Sequence, residues 1–272
     1  MQKTISITNK YIILATPLIL YTLFSSIYFV IAIGNGRIIN IIFAIILFML
    51  MTAAFMAGWF HMIRLALENR YDDEPNALIR EFVPGVGEFF LSSTGALLTI
   101  FVISTLILVG SFFLGSSLIG ETGVSSNDLL KAMQNNTNLK AFVSSLSFEQ
   151  LNKLNQWNMM MLGTLTLIYY LFFLYFPTLF FQNKNPLKSF LISLKNLFSK
   201  KIFKTTAIFL LIYFLYSMIS VFMAVLGSNA IMHFFLTLLN FYFITASAVG
   251  IFYYFQINFV DTKIGKNVDV EI

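Results

Sequence analysis

Residues 38–63 read IINIIFAIILFMLMTAAFMAGWFHMI, an apolar run without a single Asp, Glu, Lys or Arg. A helix rises about 1.5 Å per residue, so about 20 such positions cross a hydrocarbon core of about 30 Å. Lipid offers no water to pair with backbone N–H and C=O groups, so a run of this length and composition is a transmembrane helix. Five more stretches have the same character: Tyr11–Ile33, Ser93–Leu114, Met159–Phe181, Phe203–Leu226 and Ile231–Phe255. The predicted fold is therefore all-α, a polytopic bundle of six transmembrane spans forming a single integral membrane domain over residues 1–272. Pro17 and Pro177 fall inside spans, where kinks are expected. The first stretch is longer than the apolar core of a signal peptide and lacks a small-residue cleavage site, so it reads as a retained helix.

Composition agrees. Hydrophobic residues make up 58% of the 272 positions and charged residues only 11%, against roughly 25% charged in a typical soluble domain. Mean hydropathy is +0.82. The 32 Phe and 12 Tyr suit lipid-facing and interfacial positions. The absence of cysteine excludes disulfides, thiolate nucleophiles, iron–sulfur clusters and zinc–thiolate sites. A net charge of +5 does not indicate nucleic acid, because the cations flank apolar spans rather than forming a soluble basic domain.

Those cations set an orientation. With both termini cytoplasmic, thirteen of the 17 Lys and Arg residues flank the spans on the inside, and only Arg37, Lys131, Lys140 and Lys153 lie outside. Residues 115–158 then form one external loop, rich in Asn and Ser and expected to be partly helical. Ser147 and Gln150 have the spacing of a capping box, opening a helix that continues into the fourth span with Trp157 at the interface.

Each sizeable inner loop contains a short amphipathic stretch between two spans. Asn76-Ala77-Leu78-Ile79-Arg80-Glu81-Phe82 aligns at constant offset with Asn185-Pro186-Leu187-Lys188-Ser189-Phe190-Leu191, and Phe89 aligns with Phe198. Both copies are preceded and followed by spans of the same direction, the pattern of a parallel internal repeat. In the second copy Asn185 is placed to cap and Pro186 suits the first helical position. Leu187, Phe190, Leu191, Leu194, Leu197 and Phe198 are predicted to form an apolar face, with Lys188, Ser189, Lys195 and Asn196 on the other side. Such a helix lies in the membrane plane, its lysines meeting anionic lipid. Pro84, Gly85 and Gly87 interrupt the first copy. That loop carries six acids against three arginines, whereas the second carries six lysines and no acid.

Residues for several chemistries are missing. No Asp, Glu, Lys or Arg lies in the middle of a span, which argues against a proton-coupled pump or voltage sensor. No Gly-x-x-x-x-Gly-Lys-Ser/Thr loop binds nucleotide, and no cofactor or metal site is expected. Thr99, Ser104, Asn240 and Ser247 suit hydrogen bonding between helices. The strongest polar grouping is His61, Arg64, Glu68, Asp72 and Asp73 at the inner rim. Carboxylates with His and Arg can hold a divalent metal over a phospholipid headgroup, but the recurrent acidic spacing of such enzymes is lacking.

The order of features resembles a broad bacterial group of six-span proteins related to the membrane domain of glycerophosphodiester phosphodiesterases. The resemblance rests on Asn185-Pro186-Leu187-Lys188-Ser189-Phe190, Leu197-Phe198-Ser199-Lys200-Lys201 and Phe252-Tyr253-Tyr254-Phe255-Gln256, and it extends over most of the chain. It implies a six-span architecture in a bacterial cytoplasmic membrane. The catalytic barrel of some members has no counterpart here, and no site is carried over. The expected role is non-enzymatic: organising anionic lipid or a protein partner through Lys188, Leu191, Leu194, Lys195, Lys200 and Lys201. The alternatives are the permease subunit of an ATP-driven exporter, partnered by an ATPase, and a lipid-modifying membrane enzyme.

Overall fold

The computed structural model describes residues 2–33, 38–71, 73–133, 136–226 and 229–260. Helices account for every regular element among them. They are α1 (Gln2–Lys10), α2 (Ala15–Ile33), α3 (Ile38–Leu67), α4 (Phe82–Leu118), α5 (Ser126–Met133), α6 (Asn136–Ser145), α7 (Phe148–Leu171), α8 (Tyr175–Phe181), α9 (Pro186–Leu197), α10 (Ile202–Leu226) and α11 (Ala230–Phe255). Tight 3-10 turns cover Ile12–Leu14 and Pro75–Glu81, and a π-helical turn, Gln256–Val260, follows α11. Among the described residues, six stretches are long and apolar enough to cross a membrane. The chain is thus an all-α, multi-pass membrane protein.

The five prolines explain where the helices begin. Pro17, Pro84 and Pro177 each stand third in α2, α4 and α8, Pro186 opens α9, and Pro75 opens a 3-10 turn. Proline lacks an N–H and its ring clashes with the carbonyl four residues back, but the first turn has no such intrahelical partner to lose. The kinks expected at Pro17 and Pro177 are therefore fresh helix starts. The fourth span is divided into α7 and α8 by a turn at residues 172–174. For the same reason Pro84 does not interrupt α4, which extends well before Ser93 as one 37-residue helix.

The chain divides into two compact units, Met1–Thr99 with Leu171–Ile272, and Ile100–Tyr170. In the first unit, α1 packs along α11. Tyr242 donates to Asn9 Oδ1 at 2.7 Å, and Lys3 Nζ lies 5.5 Å from the Tyr253 ring centroid. Where the chain passes from α1 to α2, the buried Trp59 indole donates to the Leu14 carbonyl at 2.7 Å. Aromatic rings fill the core near the His61 end of α3. Phe60 lies 5.0–5.7 Å, centroid to centroid, from Phe176, Phe180 and Phe252, and Phe89 stacks on Phe180 at 4.3 Å. Each such pair contributes about 0.5–1.5 kcal/mol beyond burial.

The second unit comprises the far part of α4, then α5, α6 and most of α7. The predicted capping box is formed: Gln150 N–H donates to Ser147 Oγ at 3.2 Å and Ser147 N–H to Gln150 Oε1 at 3.0 Å. Helix α7 then runs unbroken to Leu171, as expected. Trp157 donates to the Gly120 carbonyl at 3.1 Å, and Thr164 to Ser111 at 3.0 Å. Most other span hydroxyls bond the carbonyl four residues back in their own helix, Thr99 to Gly95 among them.

Two glycines of the first unit set backbone spacing. A Cβ on Gly58 would stand 2.6 Å from the Phe82 ring and 2.8 Å from its carbonyl oxygen, and one on Gly95 would stand 2.6 Å from Pro186 Cγ. Gly58→Leu and Gly95→Leu should each lower the thermal midpoint of detergent-solubilised protein, at an overpacking cost of about 1–3 kcal/mol. Gly110→Leu, where a Cβ meets nothing within 4 Å, should leave the midpoint unchanged.

Candidate functional site

Helix α9 is fixed before its first turn. Asn185 has extended backbone angles and accepts the Lys188 N–H on its side chain at 3.1 Å, with Pro186 at the first helical position. Asn183 Oδ1 accepts the Asn185 N–H at 2.8 Å. Polar bonds then dock the helix. Tyr175 donates to the Pro186 carbonyl at 3.1 Å, Ser189 Oγ donates to the Asn183 carbonyl, and Asn196 donates to Gln182 Oε1 at 3.3 Å. Gln182 in turn donates to the Phe259 carbonyl at 3.0 Å.

This docking differs from the division of faces predicted by the sequence. Ser189 and Leu197 are buried, and Phe190 packs half-buried against Phe172 and Tyr175. Ser189 and Asn196, expected on the outer polar side, point inward, because their hydrogen bonds satisfy protein groups that lipid could not. The outward side carries the rest of the apolar set: Leu187 is 66%, Leu191 65% and Phe198 59% exposed. At about 100° per residue, Leu187, Leu191, Leu194 and Phe198 fall within a stripe about 60° wide, with Lys188 and Lys195 about 80–100° from Leu187. Lys188, Lys195 and Lys200 are exposed. Lys201 is turned inward, donating to the Asn258 carbonyl at 2.5 Å and lying 5.3 Å from the Phe259 centroid. Lys184 pairs with Glu88 at 2.7 Å.

The proposed repeat does not extend to side-chain environments. Leu78 and Phe89 are fully buried, whereas their counterparts Leu187 and Phe198 are exposed. The first copy is a 3-10 turn leading into a span and the second a separate α-helix.

The acidic rim assembles differently from its sequence grouping. Arg64 Nε bonds Glu68 Oε1 at 2.9 Å, and Arg70 Nε lies 2.8 Å from Glu68 Oε2. His61 is 7% exposed and its Nε2 lies 3.9 Å from Glu81 Oε2. The Tyr71 hydroxyl donates to Glu81 as well. Asp73 is exposed, and Asp72 lies outside the described residues. Among the described residues, no three His, Cys, Asp or Glu side chains converge as a metal site would require. The arginine pairs thus close within residues 64–70, and the rim meets the Pro75–Glu81 turn where His61 lies beside Glu81 and Tyr71 donates to it. Sequence reasoning missed Glu81 and Glu88, whose partners His61 and Lys184 lie on other elements and leave no local spacing signal.

Comparison with protein-family models, curated proteins and solved structures finds no match to this chain.

The Glu81 hydrogen bond, followed by weaker desolvation and the charge of the same carboxylate, raises the Tyr71 phenol above its ordinary pKa of about 10. A raised folded-state pKa gives stabilisation that is complete below pH 10 and fades as pH rises through the folded value. The difference between wild-type and Tyr71→Phe ultraviolet titrations should place this phenol above the ordinary range, and Glu81→Gln should return it there.

Proposed function

We propose that this chain is a non-enzymatic, multi-pass protein of a bacterial cytoplasmic membrane that gathers anionic phospholipid at the cytoplasmic face through α9. The observation carrying this reading is the geometry of that helix. Its polar Ser189 and Asn196 are used for docking, which leaves a leucine–phenylalanine stripe outward beside exposed Lys188 and Lys195. A helix with this cross-section lies along the interface, apolar stripe in the acyl region and cations at the headgroups. The cytoplasmic assignment rests on the thirteen-to-four partition of Lys and Arg.

The test is lipid retention. Full-length protein is purified in mild detergent from vesicles containing equal amounts of phosphatidylglycerol and phosphatidylcholine, and the bound lipid is measured by mass spectrometry. Wild type should retain phosphatidylglycerol preferentially. Lys188→Gln and Lys195→Gln should each weaken that preference by about 1 kcal/mol, a factor of about five. Leu191→Glu with Leu194→Glu should abolish it without loss of folded protein. Equal retention of the two lipids by wild type would overturn the reading. An ATPase co-purifying at stoichiometric level from native membranes would replace it with the exporter-permease reading.

A further inference from the structure

An apolar groove of about 420 Å³ lies in the first unit among α2, α3 and the Pro75–Glu81 turn with the start of α4. Pro17 and Phe55 are its buried floor. Leu20, Phe24 and Val83 are exposed walls, at 47%, 59% and 74%. Its one hydroxyl, that of Tyr21, is already bonded to Thr52 Oγ1 at 2.8 Å. Water entering the groove would find almost nothing to bond, and an apolar cavity of this kind stays dry or takes up an apolar guest.

The surroundings narrow the choice of guest. From Pro17 to Phe24 the groove follows α2 for about 10 Å, about two thirds of one leaflet's hydrocarbon depth of about 15 Å. Its walls belong to stretches able to cross a membrane, and Leu23 on the same helix is 55% exposed. At this depth the adjoining medium is acyl chain. The end of the groove lined by Ile79 and Phe82 adds a charge, for Arg80 between them is exposed. Glu81 is held by Tyr71 and lies beside His61, and Arg70 is paired with Glu68. Arg80, exposed and next in sequence to the groove-lining Ile79, is the guanidinium within the same short turn, and a phosphate accepts such a planar fork.

We infer that this groove is a phospholipid site, with one acyl chain lying along Pro17, Phe24 and Phe55 and the phosphate meeting Arg80. The inference is independent of the α9 reading. It concerns a buried chain rather than surface charge, and its probe is zwitterionic so that the α9 lysines do not dominate the signal.

Full-length protein is reconstituted in phosphatidylcholine vesicles carrying a small fraction of phosphatidylcholine with a diazirine-tagged acyl chain, photolysed, and mapped by mass spectrometry. Adducts at Leu20, Phe24, Met51 and Val83 should exceed several-fold those at Phe101 and Leu106, which are each 67% exposed and lie outside this groove. Ala54→Trp, and the smaller Ala54→Phe should the first variant misfold, should erase that excess while labelling at Phe101 persists. Arg80→Gln should reduce it. Equal labelling at groove and reference positions would overturn the inference, leaving only a general lipid annulus. Groove labelling that falls as protein density in the vesicles is raised, while labelling at Phe101 holds, would also overturn it, identifying a second copy as the occupant.

Discussion

The constraint from which the rest follows is that the bilayer core contains no water, so every backbone N–H and C=O within it needs a partner in the protein. Helices meet this demand along their length, and the interest lies in where they stop. At the break after α1, the Trp59 indole takes up the Leu14 carbonyl. At the π turn that ends α11, Lys201 and Gln182 take up the carbonyls of Asn258 and Phe259. Before α9, Asn185 and Asn183 accept the N–H groups of Lys188 and Asn185. The prolines conform to the same rule, each standing in a first turn where its missing donor costs no intrahelical bond.

Between helices in lipid there is no hydrophobic force comparable to that in water, so close packing and polar contacts hold them together. In the first unit this means glycine against side chain, as at Gly58 with Phe82 and Gly95 with Pro186, and rings gathered around Phe60. Polar residues become the means of docking, and α9 is the clearest case. An amphipathic helix beside a soluble core turns its leucines inward. This one turns Ser189 and Asn196 inward and keeps Leu187, Leu191 and Phe198 out, as suits a neighbour that is hydrocarbon.

The same logic separates the two inner segments that look alike in sequence. The segment around Leu78 is held under α3 by the burial of Leu78 and by Glu81, which lies beside His61 and accepts from Tyr71. The lysine segment has no acids of its own to close on. Its one described ion pair, Lys184 with Glu88, reaches to α4; Lys188 and Lys195 are exposed on α9, and Lys201 turns inward to the Asn258 carbonyl.

Sequence alone determined the elements whose causes are local. An apolar run of span length can only be a helix in lipid, the Asn185–Pro186 start and the Ser147–Gln150 box each act within three residues, and their bonds form as read. Helix α1 was not legible, because a short polar segment acquires its helix by packing on α11 through Asn9 and Lys3. Nor was the inward side of α9, the pairing of His61 with Glu81, or the groove beside Pro17 and Phe55. Tertiary structure decided these, since each depends on which distant element supplies a donor, a carboxylate or a wall, and periodicity along one helix carries no information about its neighbour.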